Sequence, residues 1–114
     1  MKLTLNRREE QKGMLFKKTV YSLDIDLEVD DAEKALIKKH KWGELPMATG
    51  TFVSGAEITF KIGALLGKNT YTFSRIEELA HFERQIVEEA KTLKANLATA
   101  GNFTDNGPRE VSLD

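Results

Sequence analysis

The strongest constraint on the fold is a strict alternation of apolar and polar residues in the first third of the chain. The apolar positions are Tyr21, Leu23, Ile25, Leu27 and Val29, and the polar positions between them are Ser22, Asp24, Asp26 and Glu28. A period of two is that of a β-strand with one face on a core and the other in water. The run therefore predicts a strand of an antiparallel sheet that has one solvated face.

A shorter alternation precedes this strand and predicts its hairpin partner. Leu3 and Leu5 alternate with polar residues, and Gly13 can adopt the positive φ that a turn needs. Phe16 and Val20 stand on the opposite parity from Leu23. We therefore expect either a bulge near Val20 or a strand that is covered on both faces there.

A helix follows the first hairpin. Asp30 and Glu33 have the spacing of a capping box, with the aspartate as N-cap and the glutamate three residues on. The helix should run from Asp31 to Lys41, because Gly43 and Pro46 then interrupt it.

The second half repeats this order without repeating the residues. Alternation from Ala56 to Ala64 predicts a strand, and Gly67–Asn69 predicts a turn into a returning strand over Thr70–Phe73. Ser74 and Glu77 have the spacing of a second capping box. The helix after it should span residues 75–98, with an apolar stripe at spacings of three and four. The stripe residues are Ile76, Leu79, Phe82, Ile86, Ala90, Leu93 and Leu97.

The order ββαββα predicts an α+β fold with two layers. Two hairpins form one antiparallel four-stranded sheet, and both helices pack on one face of it. The chain has 114 residues, which favours a single domain over residues 1–100. Residues 101–114 form a tail that is partly disordered or adds a short edge strand. A folded monomer of this mass should expose about 6,300 Å² of surface.

The residue types narrow the possible chemistry. The chain has no cysteine, which removes disulfides, thiol nucleophiles and thiolate metal sites. The stretch Gly63–Asn69 resembles a phosphate-binding loop only in part, since three residues instead of four separate its glycines. It also leads into a predicted strand, where no helix N-terminus is available for a phosphate. We therefore expect a protein that is not an enzyme, with no catalytic, cofactor-binding or metal-binding residues.

Histidines and carboxylates offer the alternative of an enzyme. That alternative requires His40 or His81 to meet an acidic side chain in a concave pocket. His81 follows Glu77 by one helical turn, which predicts a surface pair, and His40 has lysines as its neighbours. The row Asp24, Asp26 and Glu28 is typical of a solvated sheet face whose acids pair with lysines of a neighbouring strand.

The second helix is long for a monomer of this size. At 1.5 Å per residue it would span about 36 Å, against about 19 Å across four strands. Either a second copy or the tail, through Phe103, Val111 and Leu113, should cover its distal end. We favour a homodimer. The predicted interface residues are Phe82, Ile86, Ala90, Leu93 and Leu97, together with Trp42, a residue type enriched in interface hot spots.

Basic residues form the second candidate site. The net charge is −1, so a globally basic nucleic-acid binder is not expected, but the charges are segregated along the chain. A local patch could bind phosphate groups with a salt-dependent affinity. Its possible anion-binding residues are Arg7, Arg8, Lys17, Lys18, Lys38 and Lys41.

These features predict a small non-catalytic protein-interaction module that associates with itself through the long C-terminal helix. Another protein is a further possible partner. The alternative is a module that binds nucleic acid or a phosphate ligand through the basic residues, although we do not expect nucleic acid as the partner. The N-terminal residues lack the apolar segment of a signal peptide, and no window approaches the length of a membrane helix. We therefore expect a cytoplasmic location and no membrane partner.

Overall fold

A computed structural model of the chain describes residues 1–105 and 107–113. Within them the fold is α+β, as predicted. The described strands are β1 (Lys2–Lys12), β2 (Lys18–Glu28), β3 (Pro46–Thr51), β4 (Glu57–Lys61) and β5 (Gly67–Phe73). The described helices are α1 (Asp31–Lys39), the single-turn α2 (Ile62–Leu65) and the long α3 (Ile76–Gly101), and a 3-10 turn (Trp42–Glu44) follows α1.

The strands form two antiparallel sheets, so the predicted single four-stranded sheet is wrong in detail. One sheet has the order β1-β2-β5, and β3 pairs with β4 in the other. The predicted strand over residues 56–64 ends early because Ile62 and Leu65 bury their side chains on one face of a helical turn. That turn redirects the chain, and β5 then pairs with β2, where Phe73 lies opposite Tyr21.

The strand β2 contains no bulge and is covered on both faces near its start. Its register with β1 is continuous from Lys2 opposite Glu28 to Lys12 opposite Lys18. On the core face Leu23 is fully buried, and on the other face Val20 and Ser22 are also buried. Of the two sequence-based alternatives, cover on both faces is therefore the one that the structure adopts.

The helix α3 packs its stripe against β2, β3 and β5, and α1 contacts it as well. Its buried residues are Leu79, Phe82, Ile86, Ala90, Leu93 and Leu97. Phe82 lies at the centre of an aromatic cluster, with ring centroids 5.3 Å from Phe73 and 5.6 Å from Tyr71. Phe52 and Phe60 complete the cluster, at 5.9 Å and 6.0 Å from the same ring.

A side-chain amide joins α3 to β3. Gln85 accepts a hydrogen bond from the Thr49 backbone N–H at 3.1 Å and donates one to its carbonyl oxygen at 2.8 Å. The amide thus supplies hydrogen-bond partners for the N–H and the carbonyl oxygen of Thr49, which lies on a strand that pairs only with β4 in the described chain. This pairing fixes the small sheet against the helix.

The two predicted capping boxes have different outcomes. At α1 the box is confirmed: Asp30 accepts a hydrogen bond from the Glu33 backbone N–H at 2.7 Å, and Glu33 accepts one from the Asp30 N–H at 3.1 Å. At α3 the predicted box is wrong, because Arg75 is the N-cap and no side chain caps it. Arg75 instead reaches Glu78, at 3.1 Å.

This difference gives a paired prediction on stability. Asp30→Ala should lower the free energy of unfolding by about 1 kcal/mol, because an N-terminal N–H of α1 loses its acceptor. Ser74→Ala should change it by less than about 0.5 kcal/mol, because Ser74 is exposed and caps no helix. Urea unfolding of the two variants measures both values, and a larger loss at Ser74 than at Asp30 would contradict the assignment of the caps.

The first hairpin projects from the body of the protein. The pairing of β2 with β5 stops at Tyr21 opposite Phe73, so the end of β1 and the start of β2 extend beyond the third strand. The radius of gyration is 18.6 Å, against about 13 Å for a compact chain of this length. The exposed surface is 8213 Å², larger than expected from the mass. The described tail residues, 102–105 and 107–113, form neither helix nor strand.

Candidate functional site

Three large apolar side chains that are almost fully exposed lie together at the end of the first hairpin. Met14 is 99% exposed, Leu15 91% and Phe16 87%. They belong to the hairpin tip, which we define as residues 13–17. Gly13 opens the tip at a φ of 114°, and a Cβ there would come within 2.3 Å of the Phe16 carbonyl oxygen. Only glycine therefore permits this backbone path.

Lysines surround the tip. Lys12 closes β1, and Lys17 and Lys18 follow the apolar residues directly. Lys12 lies 3.7 Å from Glu10, whereas Lys17 and Lys18 form no ion pair with any residue that the structure describes. The end of the hairpin therefore combines three apolar side chains with two unpaired cations.

A groove extends this apolar surface toward the turn between β3 and β4. This open groove has a volume of about 480 Å³, and Phe16 on the tip and Val53 on that turn both line it. Val53 is 48% exposed, and Phe52 beside it also lines the groove. The candidate contact surface is therefore the tip together with Lys18 and Val53.

The predicted interface residues of α3 lie in the core of the chain and not on this candidate surface. Phe82, Ile86, Ala90, Leu93 and Leu97 are each at most 5% exposed in the single chain. The helix α3 is covered within the chain by β2, β3, β5 and α1. The sequence pattern predicts a covered face but does not distinguish cover by these elements from cover by a second copy. These five residues therefore offer no surface to a partner.

The alternative cover for α3, the tail, is not used. Phe103 is 78% exposed, Val111 60% and Leu113 93%. Trp42, the sixth predicted interface residue, is partly buried against the core, and its ring stacks on His40 with centroids 4.6 Å apart. Part of the Trp42 side chain is therefore already in contact with other residues of the same chain.

The predicted anion-binding residues do not form one patch. Arg7 binds Glu83 of α3, and Arg8 binds Asp24 and Glu10, so acids already neutralise both arginines. Lys38 and Lys41 lie at and after the end of α1, a helix that follows the end of β2 opposite the tip. Of the six residues, only the two lysines at positions 17 and 18 belong to the candidate surface.

The predicted carboxylate row on β2 lies on the solvated face of the sheet, where Asp24 has basic and polar partners. Arg8 donates to its two oxygens at 2.8 Å and 3.0 Å, Thr70 donates at 2.8 Å and Asn6 at 3.2 Å. These hydrogen bonds, first of all from Arg8, lower the pKa of Asp24 to about 2 from its ordinary value of 3.8.

A pH dependence follows from this shift. A carboxyl whose pKa is lower in the folded state stabilises the fold above its unfolded pKa, and that contribution is lost as the pH falls toward 2. Asp24→Asn should therefore reduce the loss of stability between about pH 4 and pH 2. Arg8→Met should move the pKa of Asp24 back toward its ordinary value, which an NMR titration measures. An unchanged pKa in Arg8→Met would contradict the role of the guanidinium.

A second cleft contains the histidine that the enzyme alternative required. His81 lines an open cleft of about 470 Å³ with Glu57, Glu77 and Glu78. Within the described residues the imidazole forms no hydrogen bond to these carboxylates, and no group of three side chains is placed to hold a metal ion. One oxygen of Glu78 accepts from Arg75, and the other is buried without a partner. The cleft thus contains three glutamates and His81, but none of these carboxylates is hydrogen-bonded to the imidazole in the described residues.

The sequence pattern did not predict the tip as a site, because Phe16 was interpreted only by its parity with the following strand. A signal was present: three large apolar residues stand between Gly13 and a pair of lysines, at the point where the hairpin turns. Turns of hairpins normally carry small or polar residues. An apolar run at such a position therefore indicates a surface that contacts a partner.

Comparison with known proteins identifies no relative of this chain: no protein-family model, no curated protein and no solved structure matches it. In the part of the chain that the structure describes, no helix has the length and apolar character needed to cross a membrane.

Proposed function

We propose that this protein is a small non-catalytic interaction module of the cytoplasm that contacts its partner through the hairpin tip. The observation that carries the proposal is the exposure of Met14, Leu15 and Phe16, each at least 87% open to solvent at the end of a projecting hairpin. Exposed apolar side chains in contiguous groups mark sites of association. The two unpaired lysines beside them favour a partner with a negative surface.

Cross-linking from the tip tests this proposal. A photoreactive phenylalanine derivative replaces Leu15, and in a matched control it replaces Phe103, which is 78% exposed in the tail. Irradiation in the cell that produces the protein should give adducts from position 15 and far fewer from position 103. Equal yields from both positions, or none from position 15, would contradict the proposal.

Self-association is a second proposal, and its surface is β1 instead of the α3 stripe. β1 pairs only with β2 in the described chain, so its outer edge can accept another strand. In an antiparallel pairing of two copies, one register sets Arg7 of each copy opposite Glu9 of the other. Glu9 has no ion pair among the described residues, so this arrangement brings it a cation, Arg7, which it shares with Glu83. The two Arg8 side chains meet at the centre of the same register, where each keeps its own acids, Glu10 and Asp24.

Light scattering at micromolar concentration tests the self-association. The wild type should have twice the chain mass of 12.8 kDa. Glu9→Lys should shift it toward the monomer, because the register then opposes like charges. Glu110→Lys makes the same change of charge in the exposed tail and should leave the mass unchanged. A wild type with the mass of one chain would contradict the proposal.

A further inference from the structure

The charge around the hairpin tip decides which partner it fits. If two copies met tip to tip, the lysines at positions 12, 17 and 18 of both chains would be brought together, and like charges oppose such an approach. A surface of negative charge would instead be attracted to all three lysines. The tip is thus complementary to an anionic surface and not to itself.

The shape of the tip narrows the partner further. Met14, Leu15 and Phe16, each at least 87% exposed, form a protruding end with no polar side chain among them, and they lie beyond the last pairing of β2 with β5. A protein partner would need a socket shaped to this end. A lipid bilayer accepts a protruding apolar group without a preformed socket, and its anionic headgroups lie directly above the apolar layer.

From these observations we propose that the hairpin tip inserts into the surface of a bilayer that contains anionic lipid. This inference rests on the proposed function, in which the tip is the contact surface. Leu15 and its two apolar neighbours enter the boundary between headgroups and acyl chains, and Lys17 and Lys18 bind the lipid phosphates. Long lysine side chains can keep their ammonium groups at the headgroups while their stems follow the apolar residues inward. Insertion at the interface requires no spanning helix.

Co-sedimentation of the full chain with vesicles tests the inference. Vesicles of phosphatidylcholine with about one third phosphatidylserine, a composition of the anionic type that attracts basic segments, should bind the protein. Vesicles of phosphatidylcholine alone should bind it much less. Binding should also weaken as the salt concentration rises, because the attraction of the lysines is screened.

Two pairs of variants separate the tip from the rest of the surface. The double variant Leu15→Asn/Phe16→Asn should reduce binding at least about tenfold, because these two side chains no longer bury apolar surface in the bilayer. Phe103→Asn with Leu113→Asn, equally polar changes in the exposed tail, should leave binding unchanged. Lys17→Gln with Lys18→Gln should weaken binding about thirtyfold, as expected for two lysines near an anionic surface. Lys91→Gln with Lys94→Gln on the exposed side of α3 is the matched control.

A fluorescent probe reports insertion directly. The chain has no cysteine, so Leu15→Cys can carry a polarity-sensitive dye alone, and Ala98→Cys on the exposed side of α3 serves as control. With anionic vesicles the emission from position 15 should shift to shorter wavelength, and the emission from position 98 should not.

The outcomes distinguish this inference from the proposed function. Adducts to a protein from position 15, with no binding to anionic vesicles, would overturn the lipid assignment and leave the tip as the contact surface. Binding that is unaffected by the tip variants would also overturn the assignment. Failure of both the vesicle and the cross-linking experiments would overturn the inference and the proposed function together.

Discussion

Phe82→Ala will lower the free energy of unfolding by about 3–5 kcal/mol, the usual loss for a large aromatic residue in a core. The side chain is fully buried, and its ring contacts those of Phe52, Phe60, Tyr71 and Phe73. These rings come from the turn after β3, from β4 and from β5, so the substitution removes the group that joins the two sheets to α3. The cavity left behind adds to the lost burial.

Urea unfolding followed by circular dichroism measures this loss, and Phe103→Ala provides the matched control. Phe103 has the same side chain, but 78% of it is exposed. Its removal should change the stability by less than about 0.5 kcal/mol. A loss below about 1 kcal/mol at Phe82 would mean that the stripe of α3 does not face the core of the chain.

Gly50→Ala will destabilise the protein by about 1–3 kcal/mol, because the core has no space for one more carbon there. A Cβ on Gly50 would lie 2.9 Å from Cδ2 of Phe82 and 3.0 Å from Cζ of Phe52. Both atoms belong to rings held within the aromatic cluster, so neither can move away without disturbing its neighbours. Close packing of β3 on α3 therefore requires glycine at position 50.

Two further variants test this explanation of Gly50. Gly101→Ala adds the same methyl group where nothing lies within 4 Å, and it should be neutral or slightly stabilising at the end of a helix. Phe82→Leu should partly relieve the clash, so the double variant with Gly50→Ala should lose less stability than the two single losses added together. Additive losses would show that the methyl group does not meet the ring.

Local patterns in the sequence predicted the elements of the fold well but not their long-range pairing. The alternation around Leu23 and Ile25 depends on burial of one face, and burial leaves the same pattern whichever strand lies alongside. The pairing of β5 with β2 instead of β4 was therefore not encoded in any short window. The strand β3 has no counterpart in the predicted ββαββα order, because the glycine, threonine and proline in and around it are typical of loops.

The helix ends show where a sequence rule applies and where it fails. Asp30 and Glu33 form the predicted capping box because both side chains reach the backbone of the partner residue. Ser74 and Glu77 have the same spacing, but the helix begins one residue later and Arg75 occupies the N-cap position. The spacing alone does not specify which residue leaves the strand conformation first.

The candidate site was the least predictable part of the molecule. The period of the α3 stripe predicts that one face is covered, and the same period results from cover by a sheet or by a second copy. The apolar residues around Leu15 have no periodicity to identify them. Their significance depends on the hairpin that carries them away from the core, which is a property of the whole fold.

The claim most central to the proposed function is that the free apolar surface lies at the hairpin tip and that the stripe of α3 lies in the core. Reactivity of single cysteines toward a water-soluble thiol reagent tests it, since the chain has no cysteine of its own. Leu15→Cys, at a position 91% exposed, should react as fast as the unfolded chain, and Leu97→Cys, at a position 5% exposed, should stay protected until the protein unfolds. Rapid reaction at position 97 together with protection at position 15 would contradict the claim.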